Sequence, residues 1–178
     1  MSDHDATRAL RAMAHPLRLQ ILSLLTGAEL SAAEVARELD ITHANASYHL
    51  RVLLEAGELE IASEERIRGG NAKRYRHPWQ RQGRKGDTTS GDREVFARAQ
   101  ADELVRRVRQ AVPKRYGQFT DAELWVSTED FDAVRALLVE ATTRLHESAL
   151  PPRSEGTRRV GLTIAMFEMQ PGPTQEPS

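Results

Sequence analysis

Apolar residues recur along this chain at intervals that change several times, and each change marks a new element. Ala9, Leu10, Met13 and Ala14 predict a helix over residues 6–14. His15-Pro16 breaks it, because the residue before a proline is pushed out of the helical region, and Pro16 suits the first turn of a second helix. Leu17, Ile21, Leu24 and Leu25 form the apolar stripe of that second helix, and Gly27 stops it. Ser31-Ala32-Ala33-Glu34 has the form of a capping box and opens a short helix through Leu39, with Val35, Ala36 and Leu39 inward. Asp40-Ile41 is a tight turn. In the next stretch, Ala46, Leu50, Leu53 and Leu54 fall on one helical face, Thr42 caps the start and Gly57 supplies a left-handed end.

After Gly57 the period drops to two. Leu59, Ile61 and Ser63 alternate with Glu58, Glu60 and Ala62, which predicts a half-buried strand extended by Ile67. Gly69-Gly70-Asn71 is a turn, and residues 72–77 read as the returning strand, with Arg74 and Arg76 on one face and Lys73 and Tyr75 on the other. Residues 80–92 are polar and glycine-bearing, as a linker is. Val95, Phe96, Ala99, Leu104, Val105, Val108 and Val112 predict a helix ending at Pro113. A strand over 119–127, centred on Leu124, Trp125 and Val126, is followed by a helix over 129–149 with Glu129, Asp130 and Asp132 in its first turn. That helix carries the stripe Phe131, Val134, Leu138, Ala141 and Leu145. Pro151-Pro152 to Gly156 is loop. Val160, Leu162, Ile164 and Met166 alternate with Gly161, Thr163, Ala165 and Phe167, which predicts a strand buried on both faces.

The fold class is therefore α+β. Residues 1–79 form a helix-turn-helix with a hairpin wing, 80–92 a linker, 93–169 a helix plus a small strand–helix–strand unit, and 170–178 a Pro-rich disordered tail. Two strands make a poor sheet alone, so the C-terminal unit is expected to complete itself against the wing domain, the preceding helix or a second subunit.

The helix beginning after Thr42 carries the most informative polar face. His43, Asn45, Ser47, Tyr48, His49 and Arg51 are rich in donors and include no acid. A face chosen only for solubility would mix Glu with Lys. Donors without acids suit a major groove, where base edges and phosphates offer mainly acceptors. Net charge is −1, yet from Arg66 to Gly86 every charged residue is basic. A local basic strip still meets a polyanion as a positive field. Arg66, Arg68, Lys73 and Arg74, with Asn71 in the turn, cluster around the expected wing tip, where arginines touch phosphate or enter a minor groove.

Composition removes other classes. With 39% hydrophobic residues the chain has material for a core, and with 5% aromatics that core must be mainly aliphatic. It has no cysteine, which excludes disulfides, thiolate metal sites and cysteine nucleophiles. No basic and apolar leader begins it and no apolar run is long enough to cross a bilayer, so the cytoplasm is the default compartment and no membrane partner is expected. None of the six histidines sits at the spacing of a helical metal pair, and no metal or cofactor is expected. No phosphate loop, nucleophile elbow or paired-carboxylate arrangement stands out, so no catalytic residue is assigned. Trp125 and Phe167 are read as core residues in preference to a pocket lining.

Three segments together resemble the winged helix-turn-helix of the ArsR-like bacterial transcription regulators. They are Leu10 to Leu25, including Ala14-His15-Pro16-Leu17-Arg18; Ser47-Tyr48-His49-Leu50-Arg51-Val52-Leu53 with Ala56-Gly57; and Arg68-Gly69-Gly70-Asn71-Ala72-Lys73-Arg74-Tyr75. The resemblance implies homodimers on double-stranded operator DNA, with Thr42, His43, Asn45, Ser47, Tyr48 and His49 at the groove. It also implies a pairing role for the helix after the wing. Founding members sense metals through a Cys-x-Cys pair, but the matching region here, Ser31 to Ala36, holds no thiol, and that mode of sensing does not carry over. Glu58-Leu59 also stands where the family often has two apolar residues. The alternative reading is a winged-helix module that binds a protein through the same helix, and the C-terminal half is a candidate to sense a small-molecule effector.

Overall fold

His15 and Pro16 set the first corner of the chain in the computed structural model, which describes residues 3–67, 70–81, 89–113 and 117–170. Helix α1 (Asp3–Met13) ends there, and α2 (Pro16–Thr26) begins with Pro16 at its first turn and the His15 ring accepting a hydrogen bond from the Leu17 N–H at 3.1 Å. A proline gives up only a donor that would be orphaned at this position. The face α1 buries is Ala6, Ala9 and Ala12; Leu10, Met13 and Ala14 are half-buried. The expected face is rotated because α1 is flanked by three helices, α2 among them.

A two-residue strand, β1 (Leu30–Ser31), leads into α3 (Ala32–Leu39). The capping box is formed: the Ser31 hydroxyl accepts from the Glu34 N–H, and the Glu34 carboxylate accepts from the Ser31 N–H at 2.7 Å. Asp40 adopts φ 53°, ending α3, and α4 (His43–Glu55) follows after two further residues. Gly57, at φ 74°, turns the chain out of α4, a conformation that favours glycine. Strands β2 (Glu60–Ile67) and β3 (Gly70–Arg76) form an antiparallel hairpin, and β1 adds to its other edge in the order β1-β3-β2. Leu59 is buried just before β2, but Ile61 is exposed, and beyond it a bulge between Ile61 and Ser63 shifts the strand's register. The core lies among these elements: Ile21, Leu25, Val35, Ala46, Leu50 and Leu53 are wholly or almost wholly inaccessible.

A short 3-10 turn (Trp79–Arg81) follows β3, and α5 (Ser90–Arg109) begins earlier than expected, capped by Thr89. The rest of the expected linker, 82–88, lies outside the described residues. Helix α5 packs on α1 and α2, with Asp92 bound to Arg11 at 2.6 Å and with Ala99 and Glu103 buried. Glu103, at 2% exposure, takes bonds from both Arg106 and Arg107. Burial alone would raise its pKa; the two guanidiniums outweigh that and lower it. Most of the predicted stripe of α5 faces outward: Val95, Leu104, Val105, Val108 and Val112 are exposed.

Helix α6 (Thr128–Glu147) is present and buries no residue. The strands expected over 119–127 and 160–167 do not form. Both segments lack regular structure and make no backbone–backbone hydrogen bonds with each other or with the sheet among the described residues. A strand exists only by pairing, and neither segment finds a neighbour in its own chain. Trp125, 89% exposed, and Phe167, 70% exposed, are consequently not core residues. Of the expected tail, 170–178, all but Gln170 lies outside the described residues, and no described helix is long and apolar enough to cross a membrane.

Candidate nucleic-acid interface

The surface of α4 is set by the turn that precedes it. Asp40 in the left-handed region and the Ile41 N–H bonding back to the Ala36 carbonyl at 3.0 Å reverse the chain within three residues. The Thr42 hydroxyl then accepts the Asn45 N–H at 3.2 Å, satisfying one orphan donor at the start of α4. Ala46, Leu50 and Leu53 dock the helix inward, which leaves the other side to solvent.

On that side Thr42, His43, Asn45, Tyr48 and Arg51 are exposed and Ser47 is half-buried. No acid lies among them; the one acid of α4, Glu55, is its last residue. The Arg51 guanidinium stands 5.9 Å from the centre of the Tyr48 ring, a cation–π distance that holds both side chains along the outer face.

His49 is not part of this face. It is only 6% exposed, and its ring centre lies 4.9 Å from that of His15. Its Nδ1 is buried with no hydrogen-bond partner among the described residues. Burial first, and then the neighbouring His15 and Arg18, lower its pKa, so it is held neutral and cannot offset phosphate charge. The signal was available in the spacing: His49 is three residues after Ala46 and four before Leu53, on the buried stripe itself.

The hairpin divides the wing residues. Arg66, Asn71 and Lys73 are exposed, with Arg66 opposite Asn71 and Lys73 opposite Glu64 in the ladder. Arg68 lies outside the described residues. Arg74 is turned inward: it binds Glu34 at 3.1 Å and the Glu29 carbonyl at 2.6 Å, with Glu65 at 3.8 Å. The pairing of β3 with β1 lays Arg74 beside Ser31 and so beside the capping acid of α3, which engages its guanidinium within the protein. β1 carries no local signal, since two residues show no alternation. Arg76 is likewise taken up, by Glu60 at 2.5 Å. The hairpin's base is thus charge-balanced, and its unpaired basic character lies toward Arg66. Among the described residues no group of three or more His, Cys, Asp or Glu could hold a metal ion.

Residues 13–60 match the profile of a family described as a helix-turn-helix domain, which spans α2, α3 and α4. No curated protein matches the chain. Among solved structures, the chain is similar to a possible transcriptional regulatory protein (fragment 1–100) from Mycobacterium bovis, at 24% identity. That match covers 61% of this chain and 94% of the other, with a TM-score of 0.36.

Proposed function

We propose that this chain is a sequence-specific DNA-binding transcriptional regulator acting as a homodimer. The observation that carries the reading is the outer face of α4, which follows a capped, tight turn and presents His43, Asn45, Tyr48 and Arg51 with no acid before Glu55. The helix-turn-helix match over residues 13–60 supports it. In this reading residues 1–79 are the DNA-binding domain and 93–169 the dimerisation region. Asn45 and Ser47 read base edges, His43 and Tyr48 line the groove, and Thr42 brings the helix start to the backbone. Arg51, Arg66 and Lys73, with Asn71 and, by sequence alone, Arg68, contact phosphate or the minor groove. Two subunits would place their α4 helices about 34–36 Å apart on one face of the duplex.

Fragments selected from random duplex DNA test this directly. Enriched fragments should be palindromic, and affinity should fall steeply with salt. Arg66→Ala should weaken binding to every sequence and flatten the salt dependence by about one phosphate's worth, whereas Asn45→Ala should change the preferred sequence. No binding to duplex DNA at low or moderate salt would transfer the reading to a protein-interaction module using the same helix.

A further inference from the structure

Two segments of this chain are apolar and irregular, and neither is paired as a strand among the described residues. Over 117–127, Phe119, Leu124, Trp125 and Val126 are exposed; over 158–170, Val160, Leu162, Ile164, Met166 and Phe167 are exposed. Neither segment makes a backbone–backbone hydrogen bond within itself, with the other or with the three-stranded sheet among the described residues. Backbone N–H and C=O groups without strand partners beside exposed apolar side chains are what a strand edge offers, and a surface that satisfies both is another strand.

The second segment is also held in place. The Arg107 guanidinium, already bound to buried Glu103, donates to the Leu162 carbonyl at 2.6 Å and reaches the Thr163 hydroxyl at 3.3 Å. Gly161 lies against the same arginine, whose Cδ would stand 3.4 Å from an added Cβ. At the other end of the unit the Leu150 carbonyl closes on Gly27 and His146 stacks on Trp79 at 5.1 Å. Between these anchors α6 carries exposed Val134, Leu137 and Val139 and buries nothing.

The charges indicate what covers the edges. The first segment carries the acids Asp121 and Glu123, and the second opens with Arg158 and Arg159, all exposed. Both segments expose apolar side chains, and the acids of the first are opposite in sign to the arginine pair of the second, which carries one acid, Glu168, near its end; yet the two are not joined in one chain. A two-fold copy supplies both complements at once and closes on itself.

We propose that residues 117–127 of one subunit pair with residues 158–170 of a second copy, so that the dimer is tied by reciprocally exchanged strands. This rests on the homodimer of the preceding reading and adds which elements join it. Helix α6 then covers the shared sheet with the apolar side chains it now exposes, and the outward Val105 and Val108 of α5 continue that surface.

The chain's lack of cysteine makes the test clean. Full-length Leu124→Cys and Leu162→Cys, carrying different tags, are co-expressed and mildly oxidised without DNA. Each chain holds one thiol, so a mixed disulfide-linked dimer requires segments of two subunits to meet, and that product is expected. Its absence overturns the proposal, as does an intrachain disulfide formed by the double variant in a monomer. Hydrogen exchange on the unaltered chain gives an independent readout: amides in 119–126 and 160–167 should be protected at micromolar concentration and lose protection on dilution. Fast exchange at every concentration, or protection that ignores dilution, overturns it. DNA binding by a monomer would sink the exchange and keep the regulator, while an exchanged dimer that ignores DNA would do the reverse.

Discussion

His77 shows how strongly one residue's surroundings set its chemistry. It follows β3, its N–H bonds to the Leu25 carbonyl at 3.1 Å, and its Nδ1 lies 3.3 Å from the Thr26 hydroxyl. Burial, with the nearby His146 as a smaller cause, pushes its pKa down from 6.5 to about 4. The neutral ring is therefore the folded form. As pH falls below 6.5 the unfolded chain takes up a proton that the folded chain refuses until about 4, so stability is lost across that window, by up to about 3 kcal/mol. His15 and His49, also lowered mainly by burial, act in the same direction. Urea unfolding between pH 7 and 4 should show a shallower decline for His77→Asn than for the parent chain. Equal slopes would mean that the ring is not held neutral by the fold. The lowered pKa values of Glu34 and Glu103 add a further loss that begins near 4.5, at the lower end of this window, and continues below it as their carboxylates protonate.

At the scale of elements, Arg74 decides whether the hairpin is a free basic arm or a braced one. It joins β3 to the N-terminus of α3 through Glu34 and to the preceding loop through the Glu29 carbonyl. Arg74→Ala should cost about 1 kcal/mol in unfolding free energy. The same variant should leave the salt slope of DNA binding unchanged, in contrast to Arg66→Ala. A flattened slope with unaltered stability would return Arg74 to the DNA. The helices around it were legible because their stripes repeat: the steps from Ala46 to Leu50 and Leu53, the Ser31–Glu34 box and the His15-Pro16 break each have a local cause that the structure reproduces. The hairpin was legible through the change of period after Gly57, while of the turn expected at Gly69-Gly70-Asn71, Gly69 lies outside the described residues and Gly70 and Asn71 already belong to β3. What was not legible depends on neighbours distant in sequence. β1 exists because β3 passes beside it, and Arg74 faces Glu34 for the same reason. The inward turn of His49 is the exception, since helical spacing alone placed it beside Ala46 and Leu53. The segments at 119–127 and 160–167 mark the limit from the other side: an apolar run or alternation raises strand propensity but forms no strand without a paired neighbour.

Taken whole, the molecule is uneven in where it buries its apolar surface. Every buried hydrophobic residue among those described lies between Ala6 and Ala99, and Glu103 is the last buried residue of any kind. The region from 117 onward touches the rest through a few contacts: Arg107 with Leu162, Leu150 with Gly27, His146 with Trp79, and Arg153 with Glu38 at 2.9 Å. Two of these, those of Arg107 and Arg153, are exposed polar bonds, worth little each. A chain ending at Pro113 should therefore keep a cooperative unfolding transition and lose no more than about 2 kcal/mol, measured in urea at a concentration where the full chain is dissociated. At higher concentration the two should diverge. The full chain gains stability by mass action as it associates, and its melting temperature should rise with concentration, while that of the shortened chain should stay nearly fixed. A shortened chain that fails to fold at all would show that the C-terminal half completes the core of its own subunit, against the burial seen here.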